Sequence, residues 1–168
     1  MKILVLNGSP LVKGNTSKLV AGFVKGAEEK GHDIKVIQVG NKNIRGCMSC
    51  EYCHTKGNGK CAIQDDMQGI YPDIMEADMI VYASPVYYFS FTGQLQSAIT
   101  RIYSINKPAK AKKSAMILTS YSPNVYRAMS EQYKYLCNYF GTEDMGVKTY
   151  LEATENAVKE LKEFGLSL

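Results

Sequence analysis

No stretch of the sequence approaches the roughly 18 consecutive apolar residues that a bilayer span requires. The only early apolar run, Ile3 to Leu6 after a single lysine, is far too short for the core of a secretion signal. The chain is therefore expected in the cytoplasm. A block of one charge sign is missing as well: 20 Lys and Arg stand against 16 Asp and Glu, for a net charge of +4. Only Lys107, Lys110, Lys112 and Lys113 gather, as a solvated loop ahead of a strand would place them, so nucleic-acid binding is not expected. Repeats, low-complexity tracts and evident linkers are absent too. With 45% hydrophobic and 21% charged residues, residues 1–168 suit one globular domain with a cysteine-rich insertion at about 41–64.

What is present is an alternation of strand-like and helix-like segments. KILVL (2–6) is a continuous apolar run ending at Asn7-Gly8-Ser9-Pro10, as a strand buried on both faces would end. Leu19, Val20, Phe23, Val24 and Ala27 then recur at helical spacing, and Gly31 closes that helix. Further strands are expected at 33–39, 77–84, 114–120 and 145–151. Between them lie helices marked by Leu95, Ala98, Ile99 and Ile102, by Met129, Tyr133, Leu136 and Phe140, and, after a Thr154 cap, by Val158, Leu161 and Phe164. Asp65-Asp66 opens a helical stretch that Gly69 and Pro72 should break or shorten. Parallel strands need helical crossovers, so the pattern predicts an α/β, doubly wound, five-stranded parallel sheet between two helical layers. Ligands in such sheets sit beyond the carboxyl ends of the strands, which directs attention to the loops after Asn7, Val39, Ser84 and Ser120.

The first of these loops, NGSPLVKGNTSK (7–18), is neither a Walker A loop nor a Gly-x-Gly-x-x-Gly turn. It offers hydroxyls instead. Ser9, Thr16 and Ser17, with the Asn15 amide, Lys13 and the free N–H groups of the first helix, suit a terminal phosphate dianion, although Asn15 or Thr16 would also serve as an ordinary helix cap. SPVYYFSFTGQLQ (84–96) sets Tyr87, Tyr88 and Phe89 directly after a buried strand, where three successive aromatic groups cannot all face inward and can wall a flat apolar ring. A phosphate at one loop and a ring at the next describe a mononucleotide such as FMN.

Four of the five cysteines fall in CMSCEYCHTKGNGKC (47–61). In a reducing compartment such a cluster points to metal or catalysis more than to disulfides. Cys47, Cys50 and Cys53 at equal spacing, with Cys61 following across Gly57, Asn58 and Gly59, favour a 4Fe-4S cluster over zinc, whose sites usually present two separated pairs. A reduced or disulfide-linked vestige stays open. Of the two histidines, His54 reads as an exposed loop residue and His32 has no evident role, while Cys137 reads as a buried structural thiol. Asp65 and Asp66 are expected to cap the next helix rather than to act as an acid–base pair.

These residues resemble the flavodoxin-like NADPH-dependent FMN reductase superfamily, and in particular its iron-sulfur flavoprotein branch. The likeness rests on Gly8-Ser9-Pro10 with Gly14-Asn15-Thr16-Ser17, on Ser84-Pro85-Val86-Tyr87, and on the cysteine motif followed by Asp65-Asp66-Met67. Leu11 stands where the family often has arginine, and Thr119-Ser120-Tyr121-Ser122 where it often has glycines. The resemblance implies strand order 2-1-3-4-5, noncovalent FMN and a homodimer or homotetramer. It further implies phosphate contacts from Ser9, Lys13, Asn15, Thr16 and Ser17, and ribityl and ring contacts from Pro85, Val86, Tyr87, Tyr88 and Phe89, with Ser120 and Tyr121 beside the ring. NAD(P)H, or a ferredoxin-type donor, would reduce the flavin at N5, so that no side chain need act as nucleophile, and electrons would pass to a small or protein acceptor. Two readings stand beside this one: a cluster-free NAD(P)H-dependent FMN or quinone reductase, and a non-enzymatic FMN electron carrier or redox sensor.

Overall fold

The architecture follows from an alternation within the strands. In a computed structural model that describes residues 1–168, strand β1 (Lys2–Asn7) sends Ile3 and Val5 to one face of the sheet and Leu4 and Leu6 to the other. β3 (Met79–Pro85) and β4 (Lys113–Thr119) do the same. Met79, Val81, Ala83, Ala115 and Ile117 join the first face, and Ile80, Tyr82, Met116 and Leu118 the second. Both faces are apolar, so both must be covered by helices. With β2 (Asp33–Ile37) and β5 (Glu143–Tyr150) at the edges, the strands form a five-stranded, all-parallel sheet of order β2-β1-β3-β4-β5.

On the first face, α1 (Asn15–Glu29) brings Leu19, Val20, Phe23 and Ala27, and α5 (Glu155–Leu166) brings Ala157 and Leu161. Phe23 is fully buried, and truncating such a side chain to alanine costs about 3–5 kcal/mol. The other face carries α2 (Tyr71–Glu76), α3 (Gly93–Arg101) and α4 (Arg127–Phe140), through Ile74, Leu95, Ala98, Ile99, Met129, Tyr133, Cys137 and Phe140. Thr92 and Thr154 cap α3 and α5 by accepting from the N–H groups of Leu95 and Ala157. No helix is long and apolar enough to cross a membrane.

Element boundaries moved where side chains found other partners. The second strand stops at Ile37 rather than 39, because Gln38 turns toward the first loop and Val39 enters the core within a short 3-10 turn. β5 starts at Glu143, two residues earlier than expected, with a register irregularity opposite Ser114 and Met116 and with Gly146 at φ 110°. The stretch after Asp65 is broken, as Gly69 and Pro72 foretold, into a 3-10 turn at Asp66–Gly69 and the six-residue α2.

Candidate functional site

Asn7 ends β1 with its side chain 1% exposed and fully employed. Its Oδ1 accepts from the Ser9 N–H at 3.0 Å, and its Nδ2 donates to Ser17 Oγ and to Gln38 Oε1, both at 3.0 Å. The loop is thereby fixed before any ligand arrives. Gly40 presses on it from behind, since a β-carbon there would overlap the Ser9 carbonyl. From the front, Thr92 Oγ1 donates to the Gly8 carbonyl at 2.9 Å.

Beyond this loop α1 begins without a side-chain cap, at Gly14. The N–H groups of its first turn therefore point outward with the positive end of the helix dipole, an arrangement that favours an anion. They open on a cleft of about 480 Å³, mouth included, lined by Ser9, Leu11, Gly14, Asn15, Thr16, Pro85, Val86, Tyr87, Thr119, Ser120, Tyr121 and Leu151. Three strand ends meet there, as the sheet topology requires. Thr16 Oγ1 and Thr119 Oγ1 share a hydrogen bond of 2.7 Å across its floor, and the Val86 N–H donates to the Thr119 carbonyl at 2.8 Å.

The cleft thus gathers Ser9, Asn15, Thr16, Pro85, Val86, Tyr87, Ser120 and Tyr121 of the residues singled out from the sequence. Four others lie outside its lining. Ser17 is spent internally, its hydroxyl accepting from Asn7 and donating to the Leu11 carbonyl at 2.9 Å. Lys13 is exposed on the loop. Tyr88 and Phe89 occupy a tight turn closed by paired hydrogen bonds between Tyr87 and Ser90, with φ of 47° and 61°. That turn swings the Tyr88 ring into solvent, 99% exposed. Asn7, Gln38, Thr92 and Thr119 were assigned no role from the sequence, although Asn7 and Thr119 lie at strand ends whose loops it singled out.

A second concavity lies beside α3. All four clustered cysteines are free thiols, Cys47 and Cys50 exposed, Cys53 and Cys61 buried, and all four line one small pocket with Glu51, Arg101, Tyr103 and Ser104. The loop is stapled to the end of α3 and the 3-10 turn after it. Thr100 Oγ1 accepts from the Cys47 N–H, the Tyr103 hydroxyl donates to both oxygens of the Glu51 carboxylate at 3.0 and 3.1 Å, and His54 Nε2 meets the Tyr103 carbonyl at 2.9 Å. Burial pushes the Cys53 thiol up from its ordinary range. No three of these side chains stand close enough together to hold a metal ion as placed. Four soft donors line one pocket with Arg101, a donor set that suits an iron-sulfur cluster in chemistry though not in its present spacing.

Arg101 itself is 1% exposed and forms an ion pair of 2.7 Å with Asp65, whose side chain is 2% exposed. Its guanidinium also donates to the carbonyls of Arg45 at 2.9 Å and Ile63 at 3.1 Å. Asp65 caps the following 3-10 turn as expected, through the Met67 N–H. Burial works against its charge, but Arg101 and the N–H groups of Arg45 and Met67 outweigh that and hold its carboxyl below the usual range. A third cleft, at the opposite end of the sheet, is lined by Lys2, Lys35, Asp73 and Glu76, whose charges pair with one another.

Comparison with known proteins agrees with this geometry. The chain is 36% identical over 101 residues to an iron-sulfur flavoprotein of Methanocaldococcus jannaschii, a match covering 60% of the chain and 51% of that protein. It is 34% identical over 102 residues to another from Archaeoglobus fulgidus, covering 61% and 46%. The chain thus spans about half the length of the curated relatives it matches. Among solved structures, an FMN-dependent NADH-azoreductase from Bacillus anthracis in complex with FMN superposes with a TM-score of 0.72 at 18% identity, covering 98% of each chain. An NAD(P)H:quinone oxidoreductase from Methanothermobacter marburgensis gives 0.70 at 13%, covering 99% and 96%. At such identities the likeness is one of fold, the flavodoxin-like arrangement that the family resemblance implied. Residues 1–155 match the family model described as NADPH-dependent FMN reductase, and the chain belongs to that family.

Proposed function

We propose that the chain is an FMN-dependent oxidoreductase that takes electrons from NAD(P)H or a ferredoxin-type donor and delivers them to a small or protein acceptor, with a 4Fe-4S cluster on Cys47, Cys50, Cys53 and Cys61. The observation that carries the FMN reading is the uncapped first turn of α1 opening on a cleft whose other walls are Pro85–Tyr87 and Ser120–Tyr121. Ser9, Asn15, Thr16 and the N–H groups of α1 would hold the phosphate, with Lys13 the nearest cation on the loop. Pro85, Val86, Tyr87, Ser120 and Tyr121 would seat the ribityl chain and ring and limit water and oxygen there. FMN supplies exchange between two-electron and one-electron chemistry, and the cysteine site would supply one-electron transfer.

Several observations bear on the surroundings of this chemistry. Four free thiols are stable in a reducing cytoplasm, where we place the protein. The apolar Leu11, Tyr87 and Tyr121, exposed around the cleft mouth, are consistent with a homodimer or homotetramer. The spread of the thiols, no three within reach of one metal, favours a second reading, a cluster-free NAD(P)H-dependent FMN or quinone reductase. Iron and acid-labile sulfide assayed after anaerobic reconstitution separate the two. About four of each per chain are expected, and their absence selects the second. Anaerobic mixing of the FMN-loaded protein with NADH and NADPH tests the activity: at least one should bleach the flavin absorbance, and failure of both removes the nicotinamide-linked assignment.

A further inference from the structure

The guanidinium of Arg101 is built more carefully than a helix end requires. It sits at the carboxyl end of α3, 1% exposed, with Nη1 on Asp65 Oδ2 and the Arg45 carbonyl and with Nη2 on the Ile63 carbonyl. These three partners come from both flanks of the cysteine loop, before Cys47 and after Cys61. They fix the plane of the guanidinium and leave one of its nitrogens without a partner. Nε is buried and has no partner, and the same side chain forms part of the wall of the pocket lined by Cys47, Cys50, Cys53 and Cys61.

A buried N–H without an acceptor costs free energy that a fixed, fully buried arginine would ordinarily avoid by finding an oxygen. The pocket that Arg101 helps to line also carries the four cysteine sulfurs. Sulfur accepts hydrogen bonds from N–H groups, and such bonds are among the levers that set the potential of an iron-sulfur centre.

We propose that Arg101 is a positioning residue of the cysteine site, its fixed Nε–H directed at a sulfur of a cluster held by Cys47, Cys50, Cys53 and Cys61. The proposal rests on the cluster reading above. Its consequence is a direction. When one electron enters from a reductant, the centre becomes more negative, and a donor fixed on its sulfur stabilises that reduced form more than the oxidised one. Arg101 therefore raises the midpoint potential. Asp65 contributes by fixing the orientation and by neutralising the guanidinium charge, which leaves the N–H as the active element.

The experiment compares the wild-type chain with Arg101→Lys, which keeps the charge and loses the fork, and with Arg101→Gln combined with Asp65→Asn, which leaves no unpaired ion in the interior. Each protein is reconstituted anaerobically with FMN, iron and sulfide, checked for folding by its thermal transition, assayed for iron, and titrated with a mediated reductant under EPR detection. The expected result is unchanged iron content with the cluster potential shifted to lower values in both variants, while the flavin potential stays where it was. A merely structural arginine would move folding or iron content and leave the potential of the remaining clusters alone; equal potentials in all three proteins overturn the proposal. A wild-type chain that takes up no iron after reconstitution overturns the cluster reading and this proposal together, a failure distinguishable from the first.

Discussion

Thr16 Oγ1 and Thr119 Oγ1 lie 2.7 Å apart in the interior, joining the first turn of α1 to the end of β4 across 103 residues of sequence. The bond holds the uncapped helix terminus against the sheet edge where the cleft opens. Replacing either threonine by valine strands the other hydroxyl and should cost about 1–3 kcal/mol in urea denaturation. The double variant should cost less than the sum of the singles. Strict additivity of the three variants would show that the pair is not coupled.

Gly40 is a second point of control. A methyl group there meets the Ser9 carbonyl from behind the loop. Gly40→Ala should therefore displace residues 8–9, lowering FMN affinity roughly tenfold or more, equivalent to about 1.4 kcal/mol, along with the melting temperature. Isothermal titration with FMN measures the first effect, and an unchanged affinity would place the phosphate elsewhere.

The aromatic loop separates cleanly into two predictions. Tyr87 lines the cleft, whereas Tyr88 points into solvent. Tyr87→Ala should weaken FMN binding, and Tyr88→Ala should leave it within about twofold, because a ring that touches nothing contributes little. Fluorescence titration of the two variants, side by side, decides the matter; a larger loss in Tyr88→Ala would mean that the turn refolds over the ring.

The Asp65–Arg101 pair makes stability depend on acid. The Asp65 carboxyl is held below its unfolded value of about 3.9. Its contribution is therefore complete above that pH and is lost as pH falls through the lower folded value. Asp65→Asn leaves Arg101 as an unpaired buried ion and should cost about 3–5 kcal/mol at pH 7. The gap between variant and wild type should narrow only below about pH 4. Urea midpoints measured from pH 3 to pH 7 give the curve, and a gap independent of pH across that range would contradict the assignment.

Much of the fold could be read from period-2 and period-3.6 spacing, because Ile3, Leu4, Val5 and Leu6 are all apolar only when both faces of a strand are covered. The same spacing located the loops at the carboxyl ends. What could not be read was how polar side chains spend their hydrogen bonds. Ser17 looks like a phosphate donor in sequence, yet Asn7 and the Leu11 carbonyl claim it. Tyr88 and Phe89 look like a ring wall, yet positive backbone angles turn them out. Arg101 looks like an ordinary charge near a helix end. Its burial depends on Asp65, 36 residues away, a pairing that no local pattern carries.

On the proposed function, the cleft between α1 and the ends of β1, β3 and β4 holds FMN. Anaerobic reconstitution with FMN, followed by gel filtration and a visible absorption spectrum, tests it most directly. About one flavin should be retained per chain, with any cluster present adding a broad shoulder beside the flavin bands. Protein that emerges colourless from that column, folded but without flavin, would contradict it.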